Sequence, residues 1–106
     1  MFEIKDTGNR IKTESGMSRS STAGKPRYDL VWKPGLKRFA EHMGKGVAIH
    51  GERNWEKACT ESDYARFKES ANRHFEQWMM EETDEDHMSA TIFNLFGAEM
   101  VREKLK

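Results

Sequence analysis

The sequence feature that most constrains the fold is an apolar stripe in the second half of the chain. Its members recur every three or four residues and are Tyr64, Phe67, Ala71, His74 and Trp78. This spacing is typical of one face of an α-helix. Thr60 and Asp63 stand three residues apart just before the stripe, as in a helix N-cap. The pattern therefore predicts an amphipathic helix from Ser62 to Met80.

One helix is predicted before this stripe. Pro34 suits the first turn of a helix, and the residues after it predict a helix from Gly35 to Met43. The following stretch from Gly44 to Trp55 contains three glycines, which predicts a loop or a broken helix.

A third helix is predicted after the stripe. Thr83 or Asp84 can cap it, and it should run to about Lys104. Its apolar side is supplied by Met88, Ile92, Leu95 and Val101. No stretch alternates with period two over more than a few residues, so no strand is predicted. The predicted fold class is all-α.

The beginning of the chain differs in composition from the rest. The stretch from Thr7 to Lys25 is rich in Gly, Ser and Thr and has only isolated large apolar residues. Such a segment buries too little surface to order itself. We therefore predict a disordered basic arm over residues 1–24 and one small all-α domain over residues 25–106.

Charge and cysteine content exclude several classes of protein. Lys plus Arg and Asp plus Glu balance at 18 each, so no global charge favours nucleic-acid binding. Cys59 is the single cysteine and cannot form an internal disulfide, which favours a reducing cytoplasm. No apolar stretch approaches the roughly 18 residues of a membrane span. We expect a cytoplasmic protein that binds neither membrane nor nucleic acid.

An acidic run precedes the last predicted helix. Five carboxylates occupy the six positions from Glu81 to Asp86. His87, then Ala90 or Thr91, and then Asn94 fall on one helical stripe. Carboxylates with an imidazole and an amide oxygen suit Mg²⁺ or Mn²⁺ when a phosphate completes the shell. The alternative is that these carboxylates only solvate the start of a helix.

Two further groups of polar residues have both a functional and a structural interpretation. In the segment from Glu52 to Lys57, Arg53, Asn54 and Trp55 offer a phosphate clamp, an amide that can read a base edge and a stacking surface. The alternative is a buried tryptophan that anchors a loop. Glu69 and Arg73 have the spacing of a weak surface ion pair, and His74 beside them suits packing as well as ligation.

Four motifs together resemble a known family. "GKPRYDL", "GERNWEK", "ESANRHFEQW" and "DEDHMSATIFN" occur in the order and approximate spacing of the phage dATP/dGTP diphosphohydrolase domain. That domain is a relative of the MazG-like all-α nucleoside triphosphate pyrophosphatases. The resemblance covers about Lys25 to Arg102.

The resemblance implies a fold and an activity. The fold would be a small MazG-like helical bundle that assembles as an oligomer and holds Mg²⁺ or Mn²⁺ with carboxylates from neighbouring helices. The activity would be hydrolysis of a (deoxy)purine nucleoside triphosphate, (d)NTP, to monophosphate and pyrophosphate. The metals would polarise phosphate oxygens and activate a water, whose proton a carboxylate accepts.

The resemblance also implies roles for individual residues. Those implied to bind substrate are Lys25, Arg27, Arg53, Asn54, Trp55, Arg73, His74, His87 and Asn94. The implied metal ligands are Glu56, Glu69, Glu82, Glu85 and Asp86, and the implied proton acceptor is Glu69 or Glu85.

Two other functions stay open at this point. Many members of the family have a second histidine where this chain has Ala90, and a longer acidic loop before His87. These departures favour a non-catalytic nucleotide-binding or sequestering protein on the same scaffold. The basic arm favours a helical interaction module without a small ligand.

Assembly is predicted from the number of large apolar residues. Without the arm roughly 80 residues remain, and a core of that size is only marginally stable. Phe75 and Met79 flank the stripe of the central helix, and Phe93 and Phe96 widen the stripe of the last one. Apolar area of that extent usually marks an interface. We therefore predict a homo-oligomer, either a dimer or a tetramer built from two dimers.

Overall fold

The fold is mostly helical in the computed structural model, which describes residues 3–4 and 6–106. In chain order its elements are β1 (Arg10–Lys12), β2 (Ser18–Ser20), a 3₁₀ turn (Tyr28–Leu30), α1 (Lys33–His50), a second 3₁₀ turn (Asn54–Lys57), α2 (Glu61–Met79) and α3 (His87–Lys104). The contacts divide the chain into an N-terminal unit, residues 1–31, and a helical unit, residues 32–106. None of the helices in the described ranges combines the length and apolar character that a membrane crossing needs.

The N-terminal unit contains a two-stranded antiparallel sheet. β1 pairs with β2 in the register Arg10 to Ser20, Ile11 to Arg19 and Lys12 to Ser18. The prediction that the chain has no strand was wrong, because three-residue strands are too short to show an alternating pattern. Residues 1, 2 and 5 of the predicted arm lie outside the described residues. The mobility of the arm and its limit at residue 24 stay predictions.

α1 is longer than the sequence predicted. It continues past Met43 to His50, so the prediction of a loop or broken helix from Gly44 was wrong up to that point. Each glycine inside a helix costs up to about 1 kcal/mol relative to alanine, but does not prevent the helix. The helix ends at Gly51, whose φ of 92° suits glycine and whose N–H donates to the carbonyl of Val47 at 2.9 Å.

α2 confirms the central prediction. The Thr60 hydroxyl accepts the Asp63 backbone N–H at 3.1 Å, and the Asp63 carboxylate accepts the Thr60 N–H at 3.1 Å. This reciprocal pair is a capping box, and it begins the helix at Glu61. The stripe faces α3 except at its end, because Trp78 is 51% exposed.

α3 begins at His87 because Asp86 caps it. The Asp86 carboxylate accepts the backbone N–H of Ser89 at 3.1 Å and its hydroxyl at 2.8 Å. The predicted caps, Thr83 and Asp84, were therefore wrong by two or three residues. The cap places His87 in the first turn of α3, where its side chain is buried.

The core of the helical unit lies between α2 and α3, and α1 contacts α3 at fewer points. Small side chains line it, since the buried apolar residues are Ala71, Ala90, Ala98 and Val101. Aromatic rings surround this narrow core. Phe93 lies edge-on to Phe67 and to Trp55, with centroids 5.9 and 6.3 Å apart, and Phe39 lies edge-on to Phe96 at 5.5 Å.

Many large apolar side chains of the helical unit are exposed. They are Trp32, Leu36, Val47, Ile49, Phe75, Trp78, Met79, Met80, Leu95, Phe96 and Leu105. Phe75 and Trp78 stack on each other, with centroids 6.1 Å apart, although both are about half exposed. The surface has the apolar character on which the predicted homo-oligomer depends, and the oligomer stays a prediction.

Candidate functional site

Two histidines face each other between the end of α2 and the start of α3. His74 Nδ1 lies 2.9 Å from His87 Nδ1. On its other side, His87 Nε2 lies 2.8 Å from a carboxylate oxygen of Asp84. His87 is buried, His74 is half-buried and Asp84 is exposed, so the chain of contacts runs from the interior to the surface. This arrangement brings His74 and His87, both predicted substrate ligands, into direct contact.

The protonation of this pair follows from its neighbours. The hydrogen bond from His87 lowers the pKa of Asp84, so this carboxylate is ionised and accepts the proton on Nε2 of His87. In the tautomer of His87 that carries its proton on Nε2, the other nitrogen, Nδ1, can accept a hydrogen bond from Nδ1 of His74. Burial lowers the pKa of His74 and so favours its neutral form, although the Glu85 carboxylate has the opposite effect.

Carboxylates of the loop between α2 and α3 lie beside these histidines. Donor atoms of His74, Glu85 and His87 all lie within 4.8 Å of one another, and so do those of Glu82, Asp84 and His87. The structure thus brings Glu82 and Glu85, two predicted metal ligands, to the histidine pair. Either set could hold a divalent cation.

The remaining predicted metal ligands each bind an arginine. Asp86 contacts Arg38, whose Nη2 lies 2.8 Å from Oδ1. Although burial opposes it, the hydrogen bonds from Arg38 and Ser89 lower the pKa of Asp86 below its usual value. Glu69 forms an ion pair with Arg73 at 2.6 Å. Glu56 forms one with Arg53, so these two residues of the RNWE motif bind each other.

A cleft of about 450 Å³ lies between the second 3₁₀ turn, α2 and α3. Predicted ligands that line it are Asn54, Trp55 and Asn94. Asn94 is buried, and its amide nitrogen donates to the Ala90 carbonyl at 2.8 Å. The volume falls in the range of small-molecule pockets.

A second depression of about 450 Å³ lies on α2, lined by Arg66, Glu69, Ser70 and Arg73 together with Ser62 and Ala65. Arg66 and Ser70 line both depressions, so the two adjoin. The sequence analysis did not select Arg66 or Ser70. Arg66 stands seven residues and Ser70 three residues before Arg73, which places all three on one helix face. This spacing is the signal that could have identified them.

The loop that carries Trp55 is fixed by the end of α3. The Lys104 ammonium donates to the carbonyls of Glu56 and Ala58, the latter at 2.8 Å. The Asp63 carboxylate accepts the Cys59 N–H at 2.9 Å, and this bond is the main cause that lowers the pKa of Asp63. Because two helices hold this loop, one wall of the cleft is fixed by hydrogen bonds.

Lys25 and Arg27 lie in the N-terminal unit. Arg27 forms an ion pair with Asp29 at 2.7 Å. This hydrogen bond lowers the pKa of Asp29 and raises that of Arg27. The roles of both basic residues in substrate binding stay predictions.

Comparison with known proteins identifies one family. The family model described as dATP/dGTP diphosphohydrolase, N-terminal, matches residues 15–105. No curated protein and no solved structure gives a significant match. The matched range contains both depressions and the histidine pair, and it confirms the family resemblance seen in the four motifs.

Proposed function

The chain belongs to the dATP/dGTP diphosphohydrolase N-terminal family, and on that premise we propose that it hydrolyses purine (d)NTPs to monophosphate and pyrophosphate. The observation that carries this proposal is the pair of adjoining depressions. One has an aromatic and amide lining, and the other is lined by two arginines and a carboxylate. A nucleotide has the same division into a flat base and an anionic triphosphate.

The base would occupy the cleft beside Trp55. Trp55 and Phe93 supply aromatic surface, and the Asn54 amide can exchange hydrogen bonds with a base edge. Asn94 of α3 also lines the cleft and is buried. A purine is favoured because its two rings match the aromatic surface and because the family name specifies dATP and dGTP.

The triphosphate would extend from Arg66 toward Arg73. Guanidinium groups bind phosphate oxygens through paired hydrogen bonds. Arg73 also holds Glu69 at 2.6 Å, which fixes the carboxylate next to the phosphates. In this arrangement Glu69 is the group that would accept a proton from the attacking water.

The carboxylates fit a divalent cation in part. Glu56 and Asp86 are bound by arginines, whereas Glu82 and Glu85 lie beside the histidine pair. Mg²⁺ prefers oxygen ligands alone, and Mn²⁺ accepts imidazole more readily. The mixed donor set therefore favours Mn²⁺. When bound, such an ion would neutralise the developing charge on phosphate oxygens.

We also propose that the active form is a homo-oligomer in the cytoplasm, with the site near the subunit boundary. The depression on α2 is formed by one helix alone, so it has no second wall within the helical unit. The exposed stack of Phe75 and Trp78 lies on this same helix. The stack lies on the opposite side of α2 from Arg66 and Arg73, so the phosphate site would be completed by a partner helix packed against the side that carries these arginines.

A second candidate function is nucleotide binding without catalysis. The observation that favours it is that the carboxylates of Glu56, Glu69 and Asp86 are each neutralised by an arginine. Carboxylates bound in this way bind a cation less well. Such a protein would hold a nucleotide in the same cleft and leave it intact.

One experiment separates the two functions. The purified chain is incubated with a panel of (d)NTPs and Mn²⁺ or Mg²⁺, and both released pyrophosphate and bound intact nucleotide are measured. Pyrophosphate release from dATP or dGTP supports the hydrolase, and bound intact nucleotide without release supports the binder. If neither is found, both proposals fail.

Variants test the position of the substrate. Trp55→Ala should raise KM by about tenfold, because aromatic stacking on a base contributes roughly 1–3 kcal/mol. Arg66→Gln should lower kcat/KM, because it removes a phosphate contact. Lys45→Gln, on the exposed face of α1, is the matched loss of one positive charge and should change neither.

A further inference from the structure

The two facing ring nitrogens of the histidine pair are close enough to bind one metal ion. Two nitrogens that bind one metal ion at 2.0–2.1 Å, at right angles, lie about 2.9 Å apart, and at the tetrahedral angle about 3.4 Å apart. The observed separation of His74 Nδ1 and His87 Nδ1 is 2.9 Å. This separation is one that two nitrogens bound to a single metal ion can have, with the ion in place of the proton between them.

A third ligand and an orienting group complete this arrangement. A Glu85 carboxylate oxygen lies within 4.8 Å of one ring nitrogen of each histidine. Asp84 binds Nε2 of His87 at 2.8 Å, on the side away from His74. In metal sites a carboxylate commonly accepts the distal N–H of a ligating histidine, which fixes the tautomer and the ring orientation.

Burial holds His87 rigidly, whereas Glu85 is accessible to solvent. His87 is only 2% exposed, and its backbone carbonyl accepts the Thr91 hydroxyl at 2.7 Å inside α3. Glu85 is exposed, so a cation has a route from solvent. Two nitrogen ligands and one carboxylate leave positions open for water or another ligand.

We propose that His74, His87 and Glu85 form a site for one transition-metal ion of the Zn²⁺, Co²⁺ or Mn²⁺ class, which forms without nucleotide. The pair of imidazoles distinguishes it from a magnesium site, because Mg²⁺ binds hard oxygen ligands and transition ions bind imidazole. The site binds its ion whether or not the chain hydrolyses nucleotides.

The test uses the full chain without nucleotide and Co²⁺ as the probe. Titration followed by visible absorption should show one Co²⁺ per chain, and Zn²⁺ should displace it. A large excess of Mg²⁺ should leave the spectrum unchanged. Displacement by Mg²⁺, or the absence of a Co²⁺ spectrum, would overturn the proposal.

Matched variants identify the ligands. His74→Gln and Glu85→Gln should each weaken Co²⁺ binding at least tenfold, and Asp84→Asn should weaken it by about 10–100-fold through the orientation of His87. Glu85 is exposed, so its substitution does not disturb the core. His50→Gln is the control and should bind as the wild type does, whereas Glu82→Gln tests the other set of possible ligands.

Two results would refute this ligand set. If Glu82→Gln weakens binding and Glu85→Gln does not, the ion lies on the other side of His87. If all five variants bind Co²⁺ equally, the ion lies elsewhere. Since no nucleotide is present, a lack of pyrophosphate release would leave these outcomes unaffected.

Discussion

The ring of Phe67 on α2 packs directly against Gly97 on α3. A Cβ atom placed on Gly97 would lie 2.6 Å from Cδ1 of this ring, far inside van der Waals contact. The two helices therefore approach each other as closely as they do because residue 97 has no side chain. Phe67 also lines the cleft and lies edge-on to Phe93, so this contact fixes the aromatic wall of the candidate site.

Gly97→Ala should destabilise the chain by about 1–3 kcal/mol, the usual cost of forcing an extra group into a packed core. Urea unfolding followed by circular dichroism measures the change in the free energy of unfolding. Gly44→Ala is the matched control, since no atom lies within 4 Å of the added Cβ and alanine favours the helix. If Gly97→Ala is as stable as the wild type, α2 and α3 can move apart to accommodate the added methyl group without loss of stability.

Asp86→Ala should lower the free energy of unfolding by about 1–3 kcal/mol at neutral pH. The change removes a helix cap and leaves the buried Ser89 hydroxyl without its acceptor. Asp86→Asn keeps an oxygen acceptor at the cap and should cost less. Thermal and urea unfolding of the three proteins provide the comparison.

The cost of Asp86→Ala should depend on pH. The folded-state pKa of Asp86 is lowered, so its stabilisation is present above the unfolded-state value of about 3.9. It is lost as the pH falls through the folded-state pKa. The difference in the free energy of unfolding between wild type and Asp86→Ala should therefore become smaller in acid. If this difference is the same at neutral and acidic pH, the cap is not an ionised carboxylate.

Deletion of residues 1–22 should leave the melting temperature nearly unchanged. The strands it removes are exposed along most of their length and form a separate unit. Differential scanning calorimetry checks this. A drop of many degrees would mean that the N-terminal unit stabilises the helices and that the prediction of a mobile arm is wrong.

Light scattering at micromolar concentration should give the mass of a dimer or tetramer. Trp78→Ser should shift this equilibrium toward monomer, because Trp78 is exposed and stacks on Phe75 in the apolar surface of α2. Ile4→Ser, at a residue that is 98% exposed, is the control for loss of a large apolar group. A monomeric wild type with full activity would exclude an interface at the site.

Local patterns predicted α2 well because its signals are local. The capping pair Thr60 and Asp63 and the stripe from Tyr64 to His74 depend only on residues three or four apart. The continuation of α1 through its glycines was not predictable in this way. The sequence of this stretch shows only a weak helix propensity. Packing beside α3, which includes the His42 to Phe93 ring contact, offsets this weakness.

The residue types of the site were predictable from the sequence, but the contacts between those residues were not. His74 and His87 stand 13 residues apart on two helices, and nothing in the spacing indicates that their nitrogens meet at 2.9 Å. The Arg38 to Asp86 pair spans 48 residues. Long-range contacts of this kind are set by how helices dock, so the role of Asp86 as a cap bound to arginine became visible only in three dimensions.

The Lys104 ammonium at the last turn of α3 has a consequence for motion in the cleft. α3 is a rod of roughly 27 Å, with His87 in its first turn and Lys104 in its last. The loop that carries Trp55 is bound to the C-terminal end of α3, because the Lys104 ammonium donates to the carbonyls of Glu56 and Ala58. The Ala58 N–H donates to the Trp55 carbonyl at 3.3 Å, so hydrogen exchange of the Ala58 amide reports how firmly α3 holds this loop. A chain truncated before Lys104 loses that restraint while the loop keeps its full sequence.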